Sequence, residues 1–492
     1  MKKSIALLVV ALYGAVSLCY GQEVRASISG IVSDPSGAPV AGASVSVTSV
    51  STNTSVTTQT NDTGNYLTPF LPPGTYVLTV EHTGFKKYLQ ENIVLQALDK
   101  ARIDVQLSLG TLADSVTVSS AVSALQTETA SRGQNISNEL IANIPTQGRN
   151  PFQIAWAAPG VVKTGGWRYL RSFDIGGTSG FSVNGGRNQE NEVLLDGISN
   201  VQSSRQVIHV PTMESVQEFK VQTNTYDAQY GRTGGGIVTI VTKSGSNQLH
   251  GTAYEYFQND KLNANQFELN AGGIPKSPNH INAFGFEVGG PVLIPKVING
   301  KDKLFWMLAY EGMRQRSADP GVVTVPQMDW RTGDFSSLLN AQGQQVLIYD
   351  PLTTAADGSR QPFAGNRIPN SRLNPIAVNA LQYYPAPTSA GVGPAHVQNY
   401  PYPSRWVGDL NQWIGRFDYY INPRNTVYFR YGQNPYSEYR GLVFVTDPSQ
   451  KNPAEPTGNS PLIRNGRNWT FDWTSTLSPR MTLDLRAGLN RW

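Results

Sequence analysis

The second half of the chain contains seven segments of about ten residues in which apolar or aromatic side chains alternate with polar or charged ones. The clearest is 411–421, where Phe417 and Tyr419 alternate with Arg416 and Asp418. About ten residues suffice for a tilted strand to cross a bilayer, and one apolar face opposite a polar face is typical of a lipid-embedded β-barrel. The sequence therefore predicts antiparallel transmembrane strands at 249–258, 282–292, 303–311, 411–421, 426–432, 468–476 and 481–489.

The connections between these predicted strands alternate in length, which is a second sign of a membrane barrel. Long connections alternate with short ones in the order 259–281, 293–302, 312–410, 422–425, 433–467 and 478–480. Outer-membrane barrels have long extracellular loops and short periplasmic turns, so we expect the short turns to face the periplasm. A soluble β-sandwich would explain the strand pattern alone and stays open as the alternative.

The first residues have the pattern of an export signal. Lys2 and Lys3 precede a largely apolar stretch, 5–18, so 1–21 is predicted to be a signal peptide. One alternative is a membrane-anchor helix, although a span needs ~20 apolar residues. Another is a lipoprotein with a lipidated Cys19. Cys19 is the single cysteine, so the exported chain is expected to have neither disulfides nor thiolate metal sites.

Residues 23–110 read as short strands separated by regular turns. The turns at 34–37, 61–64 and 71–74 separate segments that alternate with period two. This pattern predicts a small β-sandwich.

A linker is predicted next, at 111–134, because the stretch is small and polar. Within it, six residues alternate and include β-branched side chains: Asp114, Ser115, Val116, Thr117, Val118 and Ser119. A short alternating segment of this kind can add as a strand to the sheet edge of another protein.

Helix and strand signals are mixed from 135 to 246, which predicts a compact α+β domain. Ser137 is expected to cap a short helix that stops at Pro145. Pro211 is expected to begin a second helix. That helix would carry Met213, Val216 and Phe219. Two strands are expected at 219–225 and 237–242.

Little in the sequence could carry catalysis. The five histidines lack metal-ligand spacing, and neither a nucleophile elbow nor a phosphate-binding loop occurs. Charged residues make up 15% of the chain and the net charge is +4, without a basic run, which argues against a nucleic-acid partner. We therefore expect no enzyme activity, no metal site and no cofactor.

Two turn motifs of the α+β domain carry charged residues. Asp196-Gly197 is interpreted as a turn in which Asp196 bonds its own backbone and Gly197 takes a positive φ, with a carboxylate site as the alternative. A second tight turn is formed by Asn184, Gly185, Gly186 and Arg187. Arg187 could there pair with a carboxylate of the barrel wall.

Aromatic residues of the long loops could stack on a sugar or another ligand. The candidates are Tyr400, Tyr402, Trp406 and Tyr436. Aromatic residues near a membrane also form interfacial girdles, and for loop residues the choice between the two roles stays open.

Three groups of motifs together resemble one family. The N-terminal group is GIVSDPSGAPVAGA (30–43), NDTGNY (61–66) and PGTY (73–76). The middle group is IP (144–145), PGV (159–161), VNGGR (183–187), LDG (195–197) and YGRTGGG (230–236). The barrel group is TKSGSN (242–247), HGTAYEY (250–256) and FGFEVGGPV (284–292). In this order they resemble the TonB-dependent outer-membrane receptors of the Oar-like group, which carry a carboxypeptidase-regulatory-like domain ahead of a plug.

The resemblance implies a plug domain at 135–246 inside an outer-membrane barrel that begins at 247, with ligand bound at plug apices and loops. It implies that the inner-membrane partner TonB pairs with a short segment before the plug, the TonB box, and 114–119 resembles that segment. Energised uptake of a bulky nutrient such as a glycan, a peptide or a metal chelate would follow. The sandwich resembles carbohydrate-binding-like folds, so a non-transporting adhesion or glycan-binding surface protein is the alternative.

The number of strands departs from the family pattern. Family barrels have about 22 strands, and the pattern here supplies about seven. An open sheet would leave unpaired backbone groups in lipid, which is costly. We therefore expect this chain to be a truncated product or a fragment.

Overall fold

The computed structural model describes residues 23–111, 115–119, 128–144, 146–164, 175–265, 267–271, 275–318, 321–381, 384–402, 405–440, 462–478 and 481–491. The predicted signal peptide, Asp114 and Pro145 lie outside the described residues. Across the described residues, the helices are all too short or too polar to span a membrane.

The N-terminal domain, here called the sandwich, consists of two sheets. Its strands are β1 (Ala26–Ser33), β2 (Ser44–Ser49), β3 (Ser55–Gln59), β4 (Asn65–Leu71), β5 (Gly74–Glu81), β6 (Lys87–Leu95), β7 (Lys100–Arg102), β8 (Val105–Gln106) and β9 (Ser115–Ser119). One sheet has the order β4-β1-β7 with β8 also paired to β1, and the other has the order β3-β2-β5-β6-β9. Buried side chains from both sheets, such as Ile28, Val45 and Leu78, form one core, so the predicted sandwich is confirmed.

The next domain, here called the middle domain, is built on a mixed five-stranded sheet. The domain has seven strands among its described residues, five of them in this sheet. They are β10 (Arg132–Ser137), β11 (Val161–Lys163), β12 (Phe181–Val183), β13 (Glu192–Leu195), β14 (Ile198–Ser199), β15 (Val216–Asn224) and β16 (Ile237–Thr242). The sheet order is β10-β15-β16-β13-β14, and β11 pairs with β12. Its helices are α1 (Asn138–Asn143), α2 (Phe152–Ala155) and α3 (Ile175–Thr178), with a 3-10 turn at Gln147–Arg149. Ser137 caps α1 as predicted.

The helix predicted after Pro211 is wrong. The chain forms a single 3-10 turn, Met213–Ser215, which the Thr212 side chain caps, and β15 begins at Val216. The apolar spacing of this stretch fits a helix as well as a strand buried on both faces. The stretch forms a strand because its backbone pairs with β10 on one side and with β16 on the other.

Seven long antiparallel strands follow, and together they form the barrel sheet. They are β17 (His250–Asn259), β18 (Asn279–Pro291), β21 (Leu304–Ala318), β24 (Arg405–Asn422), β25 (Asn425–Arg440), β26 (Leu462–Ser478) and β27 (Met481–Arg491). Each pairs with the next one in this order. All seven predicted strands are therefore confirmed, although several extend well beyond the ten residues that a membrane crossing requires.

The connections have the predicted alternation of lengths. Residues 260–278 contain a 3-10 turn (Asp260–Leu262) and α4 (Phe267–Ala271), whereas 292–303 contain the small hairpin β19 (Leu293–Ile294) and β20 (Ile298–Asn299). The long excursion 319–404 contains β22 (Gly321–Val323), α5 (Pro375–Leu381) and β23 (Tyr400–Tyr402). It also contains 3-10 turns at Trp330–Thr332, Pro351–Thr353, Ala364–Asn366 and Asn370–Arg372. Residues 423–424 suffice to join β24 to β25.

The two faces of the barrel sheet differ as the alternation predicts. Phe417 is 53% exposed on the outer face, and Tyr419 and Ile421 are exposed with it. Arg416 and Asp418 are buried on the inner face, which the middle domain covers. Around these two residues the inner face is therefore charged and covered by protein, whereas Met307, Ala309 and Ile414 form a buried apolar cluster on the same face.

Candidate functional site

The Asp196 turn joins β13 to β14 and inserts a carboxylate between the middle domain and the barrel sheet. Both turn residues have positive φ, 49° at Asp196 and 81° at Gly197, so the predicted turn is confirmed. The Asp196 carboxylate does not bond its own turn, however. It accepts hydrogen bonds of 2.8 Å from the backbone N–H and from the hydroxyl of Thr242. The carboxylate is therefore fixed by β16 and aimed at the barrel wall.

Two arginines of the barrel sheet face this carboxylate, and with it they form what we call the Asp196 cluster. Arg430 Nε lies 2.6 Å from Asp196 Oδ2, and Arg416 Nη1 lies 3.6 Å from Oδ1. Arg416 also pairs with Asp418 at 2.7 Å. Two guanidinium groups thus meet two carboxylates, which balances the buried charge. Buried ions are tolerated when each has a partner and further hydrogen bonds.

A second group of contacts, the Arg149 cluster, binds another part of the middle domain to the wall. Arg149 Nε donates to Glu311 of β21 at 2.7 Å, and Nη2 donates to Glu214 at 2.6 Å. The guanidinium also lies over the rings of Tyr254 and Tyr256 of β17, 4.4 and 4.1 Å from their centroids. Burial opposes the charge, but Glu311 and Glu214 outweigh it and raise the pKa of Arg149.

A third group, the Arg25 cluster, connects the first described residues to the last two barrel strands. Arg25 Nη1 lies 3.3 Å from Asp472 Oδ1, and Nη2 lies 2.9 Å from Asp484 Oδ2. Glu23 contacts Arg25 at 2.8 Å, and Arg486 contacts Asp472 at 2.6 Å. The sandwich is therefore tied to the inner face of β26 and β27 just before β1 begins.

The backbone of Ala97 makes two of the contacts between the sandwich and the middle domain. Ala97 donates its N–H to Glu218 Oε2 at 2.9 Å, and its carbonyl accepts from Lys220 Nζ at 2.7 Å. Lys220 lies 3.6 Å from Asp99. Burial raises the pKa of Glu218 to about 7, and Asp99 adds to the shift, while the Ala97 N–H and Lys220 oppose it.

The segment that resembles a TonB box forms strand β9 at the edge of the sandwich. Its residues pair in parallel with β6, from Lys87 opposite Ser115 to Glu91 opposite Ser119. Val116 is 37% exposed. The predicted tendency of the segment to add to a sheet is thus realised within this chain. Whether a partner protein uses the segment stays a prediction.

The predicted ion pair between Arg187 and the barrel wall is wrong. Asn184 and Gly185 have positive φ, which gives the expected tight turn. The Arg187 side chain is 88% exposed, and the carboxylate near it is Glu190 of the same domain, at 3.9 Å. Asn184 holds the turn on the middle domain by donating hydrogen bonds to the carbonyl groups of Gly160 and Thr223.

Two of the four aromatic candidates are not loop residues. Trp406 and Tyr436 lie in β24 and β25 and are 7% and 2% exposed. They are buried because these strands run further than a membrane crossing needs, so the alternation of faces continues through them. Tyr400 lies in β23 of the long excursion and is partly buried. The backbone of Tyr402 forms the last position of β23, and its side chain lies outside the described part of the structure.

Sequence reasoning missed the charged residues that hold the domains together, among them Arg430, Arg149, Glu311 and Arg25. One signal was available, since charged side chains in the middle of a membrane strand must face a polar interior. Arg416 and Asp418 were placed on such a face. The identity of their partners in the middle domain depends on contacts about 200 residues apart in the chain, which the pattern does not encode.

Comparisons with known proteins agree with this architecture. Residues 241–492 match the family model described as an outer membrane beta barrel domain, and residues 27–108 match the carboxypeptidase regulatory-like domain. The chain therefore belongs to the outer membrane β-barrel family and is an outer-membrane protein. Within that class it is a homologue of the TonB-dependent transporter Oar of Myxococcus xanthus, with 29% identity over 311 residues. The predicted resemblance and fold class are thus confirmed.

These relatives are considerably longer. The alignment with Oar covers 60% of this chain and 28% of Oar. The solved outer membrane transporter YddB of Escherichia coli is 12% identical, with a TM-score of 0.41, over 73% of this chain and 38% of that one. The siderophore receptor PirA of Acinetobacter baumannii is 16% identical, with a TM-score of 0.39, over 73% and 39%. The chain spans less than half the length of each.

Proposed function

We propose that this protein acts in TonB-dependent transport, taking up a bulky nutrient such as a glycan, a peptide or a metal chelate through the outer membrane. In this proposal the middle domain is the plug, and 114–119 is the segment that pairs with a TonB-type protein of the inner membrane. Outer-membrane lipid surrounds the exposed face of the barrel sheet. The homology to Oar supports the class of function.

The observation that carries the proposal is the kind of contact between the middle domain and the barrel sheet. The middle domain has its own apolar core, which includes Phe152, Phe219 and Ile240. Its contacts with the wall include charged side chains, in the Asp196 and Arg149 clusters. Polar contacts of this type can be exchanged for water, whereas separating an apolar core would expose it. The middle domain can therefore shift as a folded unit, as a plug must.

Transport is preferred over adhesion because two large aromatic residues of the sandwich are buried and cannot form a platform for a ligand. Tyr66 and Tyr76 are buried in its core, and their hydroxyls donate to the backbone at Ile103 and Pro72. A glycan-binding surface would need aromatic faces open to the ligand. The homologue Oar is a transporter. We propose that this protein is a transporter without enzyme activity.

The proposal is tested by complementation. A strain lacking the gene is screened for growth on defined carbon, nitrogen and iron sources, and the deficient source identifies the substrate class. The strain is then complemented with Val116→Pro/Val118→Pro, because proline removes the N–H groups that strand pairing needs. We expect this variant to fail while its amount in the outer membrane stays normal.

The matched control is Val116→Thr/Val118→Thr, which keeps both N–H groups and a β-branched shape and should restore growth. Full complementation by the proline variant would contradict a role of this segment in energised uptake. Growth of the deletion strain on every source would contradict the transport proposal.

A further inference from the structure

Strand β9 occupies an edge that would otherwise be open. In the sheet order β3-β2-β5-β6-β9, strand β6 pairs with β5 on one side and with β9 on the other. Removing β9 would leave the N–H and C=O groups of Lys87–Glu91 without strand partners on that side. Such an edge is a template for pairing with another strand.

The docking of β9 relies on its backbone more than on its side chains. Ser115, Val116 and Thr117 are exposed, and Val118 is half-buried. Strand β2 of the same sheet differs, since Val45 and Val47 are completely buried in the core. Net stabilisation by backbone hydrogen bonds is modest because water competes for the same groups. Strand β9 can therefore leave β6 without disturbing the sandwich core.

Release of β9 also leaves the neighbouring domains in place. The sandwich is held on the middle domain by Ala97 with Glu218 and Lys220, and on the barrel sheet by Arg25. None of these contacts involves β9. The segment thus connects two domains that are already fastened to each other, which allows it to change partner independently.

We propose that the edge of β6, Lys87–Glu91, is an interaction surface that stores the 115–119 segment and competes with the TonB-type protein for it. In this proposal the partner pairs with the backbone groups of the segment that β6 holds, so storage and capture exclude each other. In the alternative geometry, a strand of the partner pairs with the edge of β9 that faces away from β6. That pairing would leave β9 in place on β6. This inference rests on the proposed function, since it needs a partner that pairs with the same segment.

The test locks β9 on β6 by a disulfide in the full chain. Leu89 and Thr117 are register partners, and neighbouring strands are ~4.8 Å apart, within the Cα separation that a disulfide spans. The variant Leu89→Cys/Thr117→Cys is oxidised in outer membranes, and capture by the purified periplasmic domain of the host's TonB-type protein is compared before and after reduction. We expect at least a tenfold loss of capture when oxidised and recovery when reduced.

The matched control is Thr75→Cys/Val94→Cys, which links register partners on β5 and β6. These strands stay paired whether or not β9 is released, so capture should not change on oxidation. Equal capture of the oxidised and reduced β9 variant would overturn the storage proposal and favour addition to the free edge.

Formation of the disulfide is a separate readout. If the control pair cross-links and Leu89→Cys/Thr117→Cys does not, β9 is not stored on β6, and the proposal is overturned whatever the partner does. If the β9 pair cross-links and the periplasmic domain captures neither this variant nor the wild-type protein, the competition for the segment and the proposed function both fail. Storage of β9 on β6 would then stand by itself.

Discussion

Arg430 and Asp196 meet at 2.6 Å between Nε and Oδ2, and both side chains are buried between the barrel sheet and the middle domain. The two residues are 234 positions apart in the chain. Arg430 also donates to the hydroxyl of Thr470 at 2.6 Å, so the guanidinium joins two barrel strands to the Asp196 turn. Together with the Arg149 cluster, this contact holds the middle domain against the wall.

Replacing Arg430 by methionine should loosen the middle domain strongly. The change leaves Asp196 buried with Arg416 as its remaining cation, and that one is 3.6 Å away. Removing one partner of a buried pair costs about 3–5 kcal/mol because the other charge stays uncompensated. Urea titration of the membrane-inserted protein, followed by tryptophan fluorescence, measures the loss.

The control for that change is Arg187→Met. The Arg187 side chain is 88% exposed, so its replacement should shift the midpoint of urea unfolding very little. The double variant Arg430→Met/Asp196→Asn should recover part of the loss, since it removes both charges. Equal destabilisation by Arg430→Met and Arg187→Met would contradict the assigned contact.

Arg149→Lys tests whether the planar shape of the guanidinium matters. Lysine keeps the charge but cannot pair with Glu311 and Glu214 through separate nitrogens while lying on two tyrosine rings. We expect a loss of about 1–3 kcal/mol and faster proteolysis of 146–164. The exposed Arg367→Lys serves as the control, and unchanged proteolysis of Arg149→Lys would argue against the cluster as an anchor.

The contact between the sandwich and the middle domain should depend on pH through Glu218. Its pKa in the folded protein is raised by burial to about 7, above the ordinary value of 4.5. A raised carboxyl pKa means that the folded contact favours the protonated form. The contribution of Glu218 to the stability of this contact is therefore complete below pH ~4.5 and is lost as the pH rises through about 7.

Hydrogen exchange of the backbone at 96–99 measures this effect. Protection should fall between pH 5 and about 8 in the wild-type protein. In Glu218→Gln it should stay nearly constant, after correction for the intrinsic exchange rate, because the amide oxygen can still accept from Ala97 and does not ionise. Parallel pH profiles of the two proteins would exclude Glu218 as the titrating group.

Gly30 of β1 lies directly against the backbone of Ile103 in the sandwich. A Cβ at this position would lie 1.8 Å from the carbonyl oxygen of Ile103. The variant Gly30→Ala must therefore push β1 away from the Ile103 backbone. We expect a destabilisation of about 3 kcal/mol or more, measured by thermal unfolding. Gly74→Ala is the matched control, because its Cβ would meet nothing closer than 3.9 Å; similar melting of both variants would refute the steric argument.

The alternation around Phe417 shows how far local pattern reaches. Side chains in a strand point to opposite faces by geometry alone, so the sequence predicts both the strand and the charged face that Arg416 and Asp418 form. The same pattern cannot show where a strand ends. Trp406 and Tyr436 were therefore predicted in loops, although they continue the alternation inside β24 and β25.

The sequence by itself determined the order of sandwich, middle domain and barrel sheet, the seven strands, and the turn at Asp196-Gly197, because each depends on residues that are near one another in the chain. Tertiary structure decided what depends on distant partners. Strand β15 replaced a helix because β10 and β16 flank it. Asp196 turned towards Arg430, and Arg187 remained in solvent. Pairing of buried charges is settled by which side chains the folded domains bring within about 4 Å, and no local pattern contains that information.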